Sequence, residues 1–467
     1  MGRRQPWPIA VAALAGAGLV LRVVVLLGHW GTVDSDEAVV GLMARGFRHG
    51  HWRAFYWGQH YAGTQETALV ALAGASTAAL KLVPVALSAV AAVLTWRVGR
   101  RLVEERLAQA AGLLVWVAPG AYVWWSTKER GFYWVSLVLG LVLVLAAQRI
   151  IARGGRPLDG ALLGLAAGLG FWASPTVLYF AVPAGLWLLA RRRPPLRWLW
   201  AAVPTAVVGA GPWLWHNVEQ GWASLDRPPQ PEHVSWLGGI GRLLWRTLPI
   251  ATNLRYPIDE RWVVPGLAAV VYVAVLVLIV VRRPPLLLAL ALGTFPLLYA
   301  WFPGAWFVGE GRYALFVAPF LALAVAVVVR RPSALLGVVA ASVALSSLTL
   351  GHIGYEHPQH VGPDLAALRR AGVDTAWADY WLAYRLAFVS GGDLTASSYV
   401  SAREPTVYDQ VAADPTPAFL YPRGDRRIGR LRRALGDGTR LARTPHFTIV
   451  LVDRAVDPRS LPPGVAP

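Results

Sequence analysis

Three carboxylate side chains, those of Asp34, Asp36 and Glu37, lie within four consecutive positions of a short polar stretch. Acidic residues are scarce, with 26 in a chain of 467 residues, so three within four positions indicate a structural or functional role. One such carboxylate could act as a general base that removes a proton from a hydroxyl nucleophile. The structural alternative is a helix start, with Asp34 or Ser35 as N-cap and the following acids in the first turn. The two interpretations are compatible, because a capped helix end also fixes the position of a carboxylate.

Four basic residues could bind a phosphate group, because their cationic groups form charge-assisted hydrogen bonds with phosphate oxygens. They lie inside an apolar segment or between two of them: Arg22, Lys128, Arg130 and Arg312. Each has a structural alternative. Glu129 could pair with its two basic neighbours, and Glu310 could pair with Arg312. Arg22 could instead extend toward lipid headgroups.

Aromatic and polar residues near these charges could contact a sugar substrate, since flat apolar rings and hydrogen-bonding groups suit a sugar ring. The candidates are Tyr56, Trp57, Gln59, His60, Tyr61, Glu66, Glu310 and Tyr313. His60 beside carboxylates could also hold a divalent metal ion, although a single histidine more often has a surface or core role. Whether a metal is involved stays open.

Long apolar segments must position these residues. The chain is 56% hydrophobic with a mean hydropathy of +0.46, and much of it lies in runs of about 20 residues, the length that crosses a bilayer. We predict eleven membrane spans, at residues 9–28, 82–99, 108–125, 132–150, 158–173, 175–190, 198–215, 263–281, 286–302, 313–329 and 333–350. The absence of cysteine excludes disulfides and thiolate metal sites.

The net charge of +18 does not indicate a nucleic acid partner, because the basic residues are concentrated between the apolar segments. With eleven crossings the arginine-rich loops all fall on one side, which the positive-inside rule identifies as the cytoplasm. The N-terminus is then cytoplasmic, and the acidic cluster and the C-terminal region are outside. The arginines concerned are Arg3, Arg4, Arg97, Arg100, Arg101, Arg149, Arg153, Arg156, Arg191, Arg192, Arg193, Arg197, Arg282, Arg283, Arg330 and Arg331.

The sequence predicts two domains. Residues 1–351 form a transmembrane domain with long outer segments at 29–81 and 216–262. Residues 352–467 are less apolar and form an extracytoplasmic α/β domain, with helices predicted at 364–370, 380–389 and 425–435 and strands at 373–378, 394–400 and 446–452.

A helix is also predicted after the acidic cluster, from about Ser35 to Arg48. Its apolar residues recur at helical spacing: Val39, Val40, Met43 and Phe47. This pattern is typical of a helix that lies flat at the outer membrane interface.

The chain resembles the GT-C superfamily of integral membrane glycosyltransferases. The bacterial relatives of protein O-mannosyltransferases and of the aminoarabinose transferase that modifies lipid A are the most similar. The motifs that carry this resemblance are Asp36-Glu37 after the first span, Leu80-Lys81-Leu82-Val83-Pro84 at the second, and the stretches 56–63 and 309–313. Three features differ from the best-known members of that group. Gly63-Thr64-Gln65-Glu66 stands where a His-Pro-Pro motif is expected, no MIR-type insertion is evident, and the tail is an α/β module.

The resemblance implies roles for individual residues. Asp36 would be the catalytic base, with Asp34 or Glu37 as its helper, and Arg312 would contact the lipid phosphate of the donor. Lys128 and Arg130 would assist. From its position inside the first span, and not from the resemblance, Arg22 is a further candidate for the same phosphate.

The expected protein is a polytopic α-helical, GT-C-like enzyme of the bacterial plasma membrane. It would transfer a sugar from a polyprenyl-phosphate donor to an extracytoplasmic glycan, lipid or protein acceptor by direct displacement. No cofactor is required on this interpretation, although a divalent metal is possible. A polytopic transporter or flippase and a non-catalytic glycan-binding scaffold are the alternatives.

Overall fold

The computed structural model describes residues 6–191, 196–226, 232–302, 304, 307–353, 359–400, 402–436 and 438–467. Parts of some predictions lie outside these ranges: Arg3, Arg4, Arg192 and Arg193 of the basic loops, residues 227–231 of the outer segment 216–262, and residues 354–358 of the tail. Most of the described chain is helical, with one small sheet toward its C-terminal end. The predicted fold class is confirmed at this level.

Apolar helices account for the hydrophobic segments. Among the described residues, five helices are long and apolar enough to cross a membrane: Trp7–Leu27, Thr77–Gly99, Tyr133–Arg153, Arg312–Val329 and Pro332–Leu350. Shorter apolar helices span Pro157–Ala173, Pro175–Ala190, Leu267–Val281 and Leu286–Trp301. Helices suit this environment because they satisfy their backbone hydrogen bonds internally. The chain is therefore a multi-pass membrane protein, and the number of eleven spans stays a prediction.

Two of the predicted spans are interrupted. The segment 108–125 forms the helices Glu105–Val117 and Gly120–Trp125, separated by Ala118 and Pro119. The segment 198–215 forms Leu199–Gly209 and Gly211–Glu219, and Pro212 lies in the first turn of the second helix. Proline lacks the N–H group that would continue the preceding helix, so it favours a new start.

A stripe of glycines allows two of the short apolar helices to pack closely. Gly160, Gly164 and Gly168 lie on the helix Pro157–Ala173 and face the segment that contains Leu199–Gly209. A Cβ atom at Gly164 would lie 1.9 Å from the carbonyl oxygen of Ala202, far closer than atoms can approach. Small residues at four-residue spacing permit this backbone contact in membrane helix pairs.

The remaining helices of residues 6–353 are short and connect or precede the apolar ones. They span Ser35–Arg48, Gln65–Leu72, Trp236–Arg242 and Leu248–Ala251. The predicted helix over 35–48 is thus found at its predicted ends. Its apolar side chains Val39, Val40 and Met43 are at most 1% exposed, so protein covers them. The pattern that indicated a membrane-interface helix instead reflects packing inside the protein.

The C-terminal sheet has five strands in the order β2-β1-β3-β5-β4. The strands are β1 (Thr375–Ala378), β2 (Thr395–Ser398), β3 (Ala418–Pro422), β4 (Thr439–Arg443) and β5 (Phe447–Val452). Strands β1, β2 and β3 are parallel, and β5 pairs antiparallel with β3 and β4. The helices of this domain span Gly362–Arg370, Tyr380–Val389, Pro405–Ala413 and Arg427–Leu435. The sequence did not predict β3, β4 or the helix Pro405–Ala413.

The chain divides into two compact units. The first contains Met1–Gly28, His60–Glu66 and Lys81–Glu356. The second contains His29–Gln59, Thr67–Leu80 and His357–Pro467. The second unit therefore combines the helix Ser35–Arg48, which follows the acidic cluster, with the C-terminal sheet. We call them the transmembrane unit and the sheet unit.

Candidate active site

The acidic cluster of the sheet unit forms a capping box at the start of the helix Ser35–Arg48. Asp34 is the N-cap, and its Oδ1 accepts a hydrogen bond from the backbone N–H of Glu37 at 3.1 Å. In return, Glu37 Oε2 accepts one from the backbone N–H of Asp34 at 3.2 Å. This reciprocal pair satisfies two donors that the helix start leaves open. Asp34 and Glu37 are 6% and 0% exposed.

Asp36 differs from its two neighbours because it takes no part in the capping box and is partly exposed. Its Oδ1 accepts a hydrogen bond from the hydroxyl of Tyr380 at 2.5 Å. Its backbone carbonyl accepts one from the hydroxyl of Tyr56 at 2.6 Å. Of the three predicted catalytic acids, Asp36 is thus the one that combines a fixed position with access from outside.

Tyr380 and Arg403 approach Asp36 from the sheet domain, and the sequence prediction missed both. Tyr380 begins the helix Tyr380–Val389, which Asp379 caps by accepting a hydrogen bond from the backbone of Trp381 at 2.8 Å. The guanidinium carbon of Arg403 lies 5.1 Å from the centre of the Tyr380 ring. Arg403 Nη2 is 3.5 Å from the Tyr380 hydroxyl oxygen. Since these residues are far from Asp36 in sequence, no local pattern could associate them with it.

The electrostatics of this group favour a neutral tyrosine beside a cationic arginine. Burial raises the pKa of Tyr380, and the negative charge of Asp36 raises it further. Burial opposes the charged form of Arg403, but Tyr380, Tyr56 and Asp36 outweigh it and raise the pKa of that arginine. Tyr380 therefore stays protonated and can donate, and Arg403 stays charged.

The basic candidates of the transmembrane unit gather around one aromatic ring. The guanidinium groups of Arg130 and Arg312 lie 5.6 Å and 5.1 Å from the centre of the Trp125 ring. Arg312 Nε is also 2.8 Å from Glu310 Oε2, the ion pair that the structural alternative predicts. The side chain of Arg312 nevertheless remains 24% exposed. The structure thus brings together two of the four cations proposed to bind phosphate.

Lys128 and Glu129 occupy the loop beside these arginines and are 1% and 0% exposed. Glu129 Oε1 accepts a hydrogen bond from the backbone of Gly131 at 2.9 Å. Tyr133 and Tyr313 also belong here, because side-chain hydrogen bonds link Tyr133 to both Arg312 and Tyr313. The loop and the Arg312 segment therefore meet, although about 180 residues separate them in sequence.

Glu66 lies on the helix Gln65–Leu72 and is fully buried. Its Oε1 accepts a hydrogen bond at 2.6 Å from the backbone N–H of Val135, in the first turn of the helix Tyr133–Arg153. Its side chain also forms a hydrogen bond with Glu129. Burial raises the pKa of Glu66 to about 7, although the hydrogen bonds with Glu129, Val135 and Trp134 oppose the increase. Glu66 is therefore protonated at a higher pH than an exposed glutamate would be.

Arg22 lies elsewhere in the transmembrane unit. Its Nη1 donates to the carbonyl oxygens of Gly18 at 2.8 Å and Trp116 at 2.9 Å, and its guanidinium carbon is 3.5 Å from the Trp116 ring centre. Leu19 and Val20 of the same helix are more than half exposed, whereas Arg22 is 1% exposed. The arginine therefore faces inward between helices instead of extending to headgroups. Its described partners are not those of Arg130 or Arg312.

The other predicted substrate contacts are distributed over both units. In the sheet unit, the backbone N–H of Trp57 donates to the sulfur of Met43 at 3.4 Å, and that of Gln59 to the carbonyl oxygen of Tyr56 at 3.0 Å. In the transmembrane unit, Tyr61 is 37% exposed. Contact of these residues with a substrate stays a prediction.

His60 has a histidine partner that the sequence prediction missed. Its Nδ1 lies 3.0 Å from Nε2 of His216. Across the part of the chain that the structure describes, no group of three or more His, Cys, Asp or Glu side chains could hold a metal ion. Participation of a divalent metal stays a prediction.

Comparison with known proteins identifies the fold. No protein-family model matches the chain, and no curated protein matches it in sequence. Among solved structures, ArnT from Cupriavidus metallidurans bound to undecaprenyl phosphate matches with a TM-score of 0.63 and 13% identity, covering 98% of this chain and 100% of that one. ArnT in the apo state matches with a TM-score of 0.60 and 13% identity, over 93% and 97%.

A second membrane glycosyltransferase has a similar fold. The archaeal oligosaccharyltransferase AglB from Archaeoglobus fulgidus, in complex with an inhibitory peptide and a dolichol-phosphate, matches with a TM-score of 0.51 and 11% identity. The match covers 88% of this chain and 69% of that one. ArnT is the lipid A aminoarabinose transferase, and both neighbours are GT-C membrane glycosyltransferases. The chain therefore has the GT-C fold that the sequence motifs predicted.

Proposed function

We propose that this protein is a glycosyltransferase that moves a sugar from a polyprenyl-phosphate donor to a hydroxyl acceptor on the outer side of the bacterial plasma membrane. The observation that carries the proposal is the accessible, fixed carboxylate of Asp36 in a chain that matches ArnT over nearly its whole length. That neighbour was solved with undecaprenyl phosphate bound, which supports a lipid-phosphate donor here. In this proposal the N-terminus is cytoplasmic and the C-terminal domain extracytoplasmic.

The reaction would be a single displacement. Asp36 removes the proton from the acceptor hydroxyl while the hydroxyl oxygen attacks the anomeric carbon of the sugar. The bond between that carbon and the phosphate oxygen breaks, and polyprenyl phosphate leaves with the electron pair. The configuration at the anomeric carbon inverts. Asp34 and Glu37 support the base by holding the helix start through their capping box.

The basic group of the transmembrane unit would stabilise the departing phosphate. Lys128, Arg130 and Arg312 supply three positive charges, and Glu66, Glu129 and Glu310 supply three carboxyl groups. Because burial raises the pKa of Glu66, less negative charge opposes these cations near neutral pH than three exposed glutamates would supply. Such a group attracts an anionic phosphate and strengthens its hold as negative charge develops on the leaving oxygen.

The test is turnover of a panel of polyprenyl-phosphate sugars by the purified full-length protein, measured as release of polyprenyl phosphate. Asp36→Asn keeps the size of the side chain but cannot accept the proton. We expect it to bind donor normally while kcat falls by about 10²–10⁴-fold, the usual contribution of a general base.

Asp393→Asn is the matched control, because Asp393 is an exposed aspartate whose partner Arg369 lies on the same domain. It should retain wild-type turnover. Turnover by wild type and Asp36→Asn at equal rates would refute Asp36 as the base. If the wild-type protein neither bound nor cleaved any of the donors, the glycosyltransferase proposal itself would be wrong.

A further inference from the structure

We propose that Tyr380 and Arg403 of the C-terminal sheet domain are positioning residues that orient the Asp36 carboxylate for proton removal. The inference rests on the proposed function, in which Asp36 is the base. It gives the C-terminal domain a direct part in the reaction, beyond any role in binding an acceptor.

The contact between Tyr380 and Asp36 defines the direction of the carboxylate. An aspartate in the first turn of a helix can rotate about two side-chain bonds, and the backbone alone does not select one orientation. The 2.5 Å hydrogen bond from the Tyr380 hydroxyl fixes Oδ1 and therefore the plane of the whole group. Such placement matters because proton transfer requires the base within hydrogen-bond reach of the acceptor hydroxyl.

Tyr380 is itself held rigidly. It begins a helix capped by Asp379, and its ring makes edge contacts with Trp381 and Tyr384 at centroid distances of 5.1 Å and 5.4 Å. Since burial and the charge of Asp36 raise the pKa of Tyr380, the hydroxyl stays protonated and acts toward the carboxylate only as a donor.

Arg403 supports both members of the pair. Its backbone N–H donates to the hydroxyl of Tyr384 at 2.6 Å, which fixes it to the same helix as Tyr380. Its guanidinium group lies beside the Tyr380 ring and hydroxyl. The positive charge of Arg403, which is half-buried here, attracts the Asp36 carboxylate and so limits its movement. The backbone at Gly58 packs closely against this arginine, since a Cβ atom at Gly58 would lie 3.3 Å from Cδ of Arg403.

A purely structural role for Tyr380 would be to join the helix Ser35–Arg48 to the helix Tyr380–Val389. Another residue makes the same connection without touching Asp36. Arg45 Nη1 donates to the carbonyl oxygen of Phe388 at 2.8 Å, and its guanidinium carbon lies 4.2 Å from the Phe388 ring centre. Arg45→Gln is therefore the matched control for loss of a packing contact between these two helices.

The first experiment compares the kinetics of Tyr380→Phe and Arg45→Gln in the full-length protein. We expect Tyr380→Phe to lower kcat for polyprenyl phosphate release by about 10–100-fold with the KM for donor unchanged, since a misplaced base affects only the chemical step. Arg45→Gln should keep kcat within about twofold. Arg403→Lys should retain more activity than Arg403→Met, because it keeps the positive charge.

The second experiment follows the Asp36 carboxylate without relying on turnover. A carbodiimide modifies carboxyl groups that it can reach, and mass spectrometry reports the rate at which Asp36 is modified at one fixed pH. Because the Tyr380 hydroxyl holds Oδ1 of Asp36, we expect Asp36 to be modified faster in Tyr380→Phe than in wild type, and at the wild-type rate in Arg45→Gln.

The two readouts separate the inference from the proposed function. If Tyr380→Phe and wild type share the same kcat and the same rate of Asp36 modification, the positioning role is refuted. A loss of kcat in Tyr380→Phe no larger than in Arg45→Gln would also refute it, because a weakened contact between the two helices would then explain the loss. If Asp36 is modified faster in Tyr380→Phe but no donor is turned over even by wild type, the contact is established and the glycosyltransferase proposal fails.

Discussion

At the scale of single residues, Glu66 shows how burial changes an acid. Its carboxyl group forms a hydrogen bond with Glu129 in a site from which water is excluded, and its pKa rises to about 7 from an ordinary value of 4.5. The folded protein therefore binds the proton more tightly than the unfolded chain between about pH 4.5 and 7. By linkage, the contribution of Glu66 to stability is fully present below pH 4.5 and is lost as the pH rises toward 7.

Glu66→Gln should remove this pH dependence. Glutamine keeps an oxygen that accepts the hydrogen bond from Val135 but carries no charge at any pH. We expect the Tm of the variant to exceed that of wild type at pH 8 by several degrees, and to match it at pH 5. Thermal unfolding in detergent across this range measures both. Glu232→Gln, at an exposed carboxylate paired with Arg242, is the control. If the difference in Tm between Glu66→Gln and wild type were the same at pH 5 and pH 8, the raised pKa of Glu66 would be contradicted.

Arg312 poses a second problem at this scale, because it is paired with Glu310 and also proposed to bind phosphate. Removing Arg312 alone would leave the buried Glu310 charge without its partner, a destabilising change unrelated to donor binding. The informative variant is therefore Glu310→Gln/Arg312→Gln, which removes the pair together.

We expect the double variant to bind polyprenyl phosphate about 10–100-fold more weakly while folding normally, since a hydrogen bond to a charged group contributes about 1.5–3 kcal/mol. Titration of the lipid phosphate into purified protein measures the Kd. Arg246→Gln/Glu260→Gln removes another ion pair of the same unit and should leave the Kd unchanged. Equal affinity of wild type and the Arg312 double variant would remove Arg312 from the phosphate site.

At the scale of elements, the glycine stripe of the helix Pro157–Ala173 determines how closely its partner packs. Gly164 lies against the backbone of Ala202, whereas Gly185 of the helix Leu178–Ala190 has no neighbour within 4 Å of where its Cβ would be. Alanine has a better helix propensity than glycine, so propensity alone predicts that substitution by alanine stabilises the protein at both positions.

We expect Gly164→Ala to lower the Tm of the purified protein by several degrees, because the added methyl group forces the two helices apart. Gly185→Ala should leave the Tm unchanged or raise it slightly. Thermal unfolding of the two variants side by side provides the comparison. A Gly164→Ala variant as stable as Gly185→Ala would show that the helices are not in backbone contact.

Elements with a strong local pattern could be predicted from the sequence. The helix Ser35–Arg48 appears at its predicted ends because its start carries cap residues and its apolar residues recur at helical spacing. Strand β3 escaped prediction because a short apolar run does not distinguish a strand from other structure. Strand β4 escaped because its sequence, Thr-Arg-Leu-Ala-Arg, does not alternate between apolar and polar residues. The sequence also indicated that Asp34 and Glu37 could cap the start of this helix, as they do in the structure.

The candidate site could be predicted only in part, for a related reason. Asp36, Arg130 and Arg312 stand out in the sequence because charges are rare among apolar segments. Tyr380, Arg403 and His216 do not, since their importance comes from residues that lie far away along the chain. Aromatic residues are common here, 11% of the total, so Tyr380 carries no signal of its own.

At the scale of the whole molecule, two units are built from interleaved parts of one chain. Residues 29–59 and 67–80 belong with residues 357–467, while the intervening segment 60–66 belongs with the transmembrane unit. The predicted domains, 1–351 and 352–467, follow the sequence and could not reveal this exchange. Composition distinguishes an apolar segment from a polar one, but it does not indicate which distant segment completes a fold.

The hydrogen bond between Asp36 and Tyr380 joins residues 344 positions apart, and this separation has a consequence for biosynthesis. At typical elongation rates of about 5–20 residues per second, the ribosome needs roughly 20–70 s to reach the tyrosine after the aspartate. With the positioning inferred above, the base remains unoriented for that whole interval while the early helices already lie in the bilayer. A nascent chain among lipid-linked sugars then lacks its positioned base, and full activity begins only when the last quarter of the polypeptide has been made and folded.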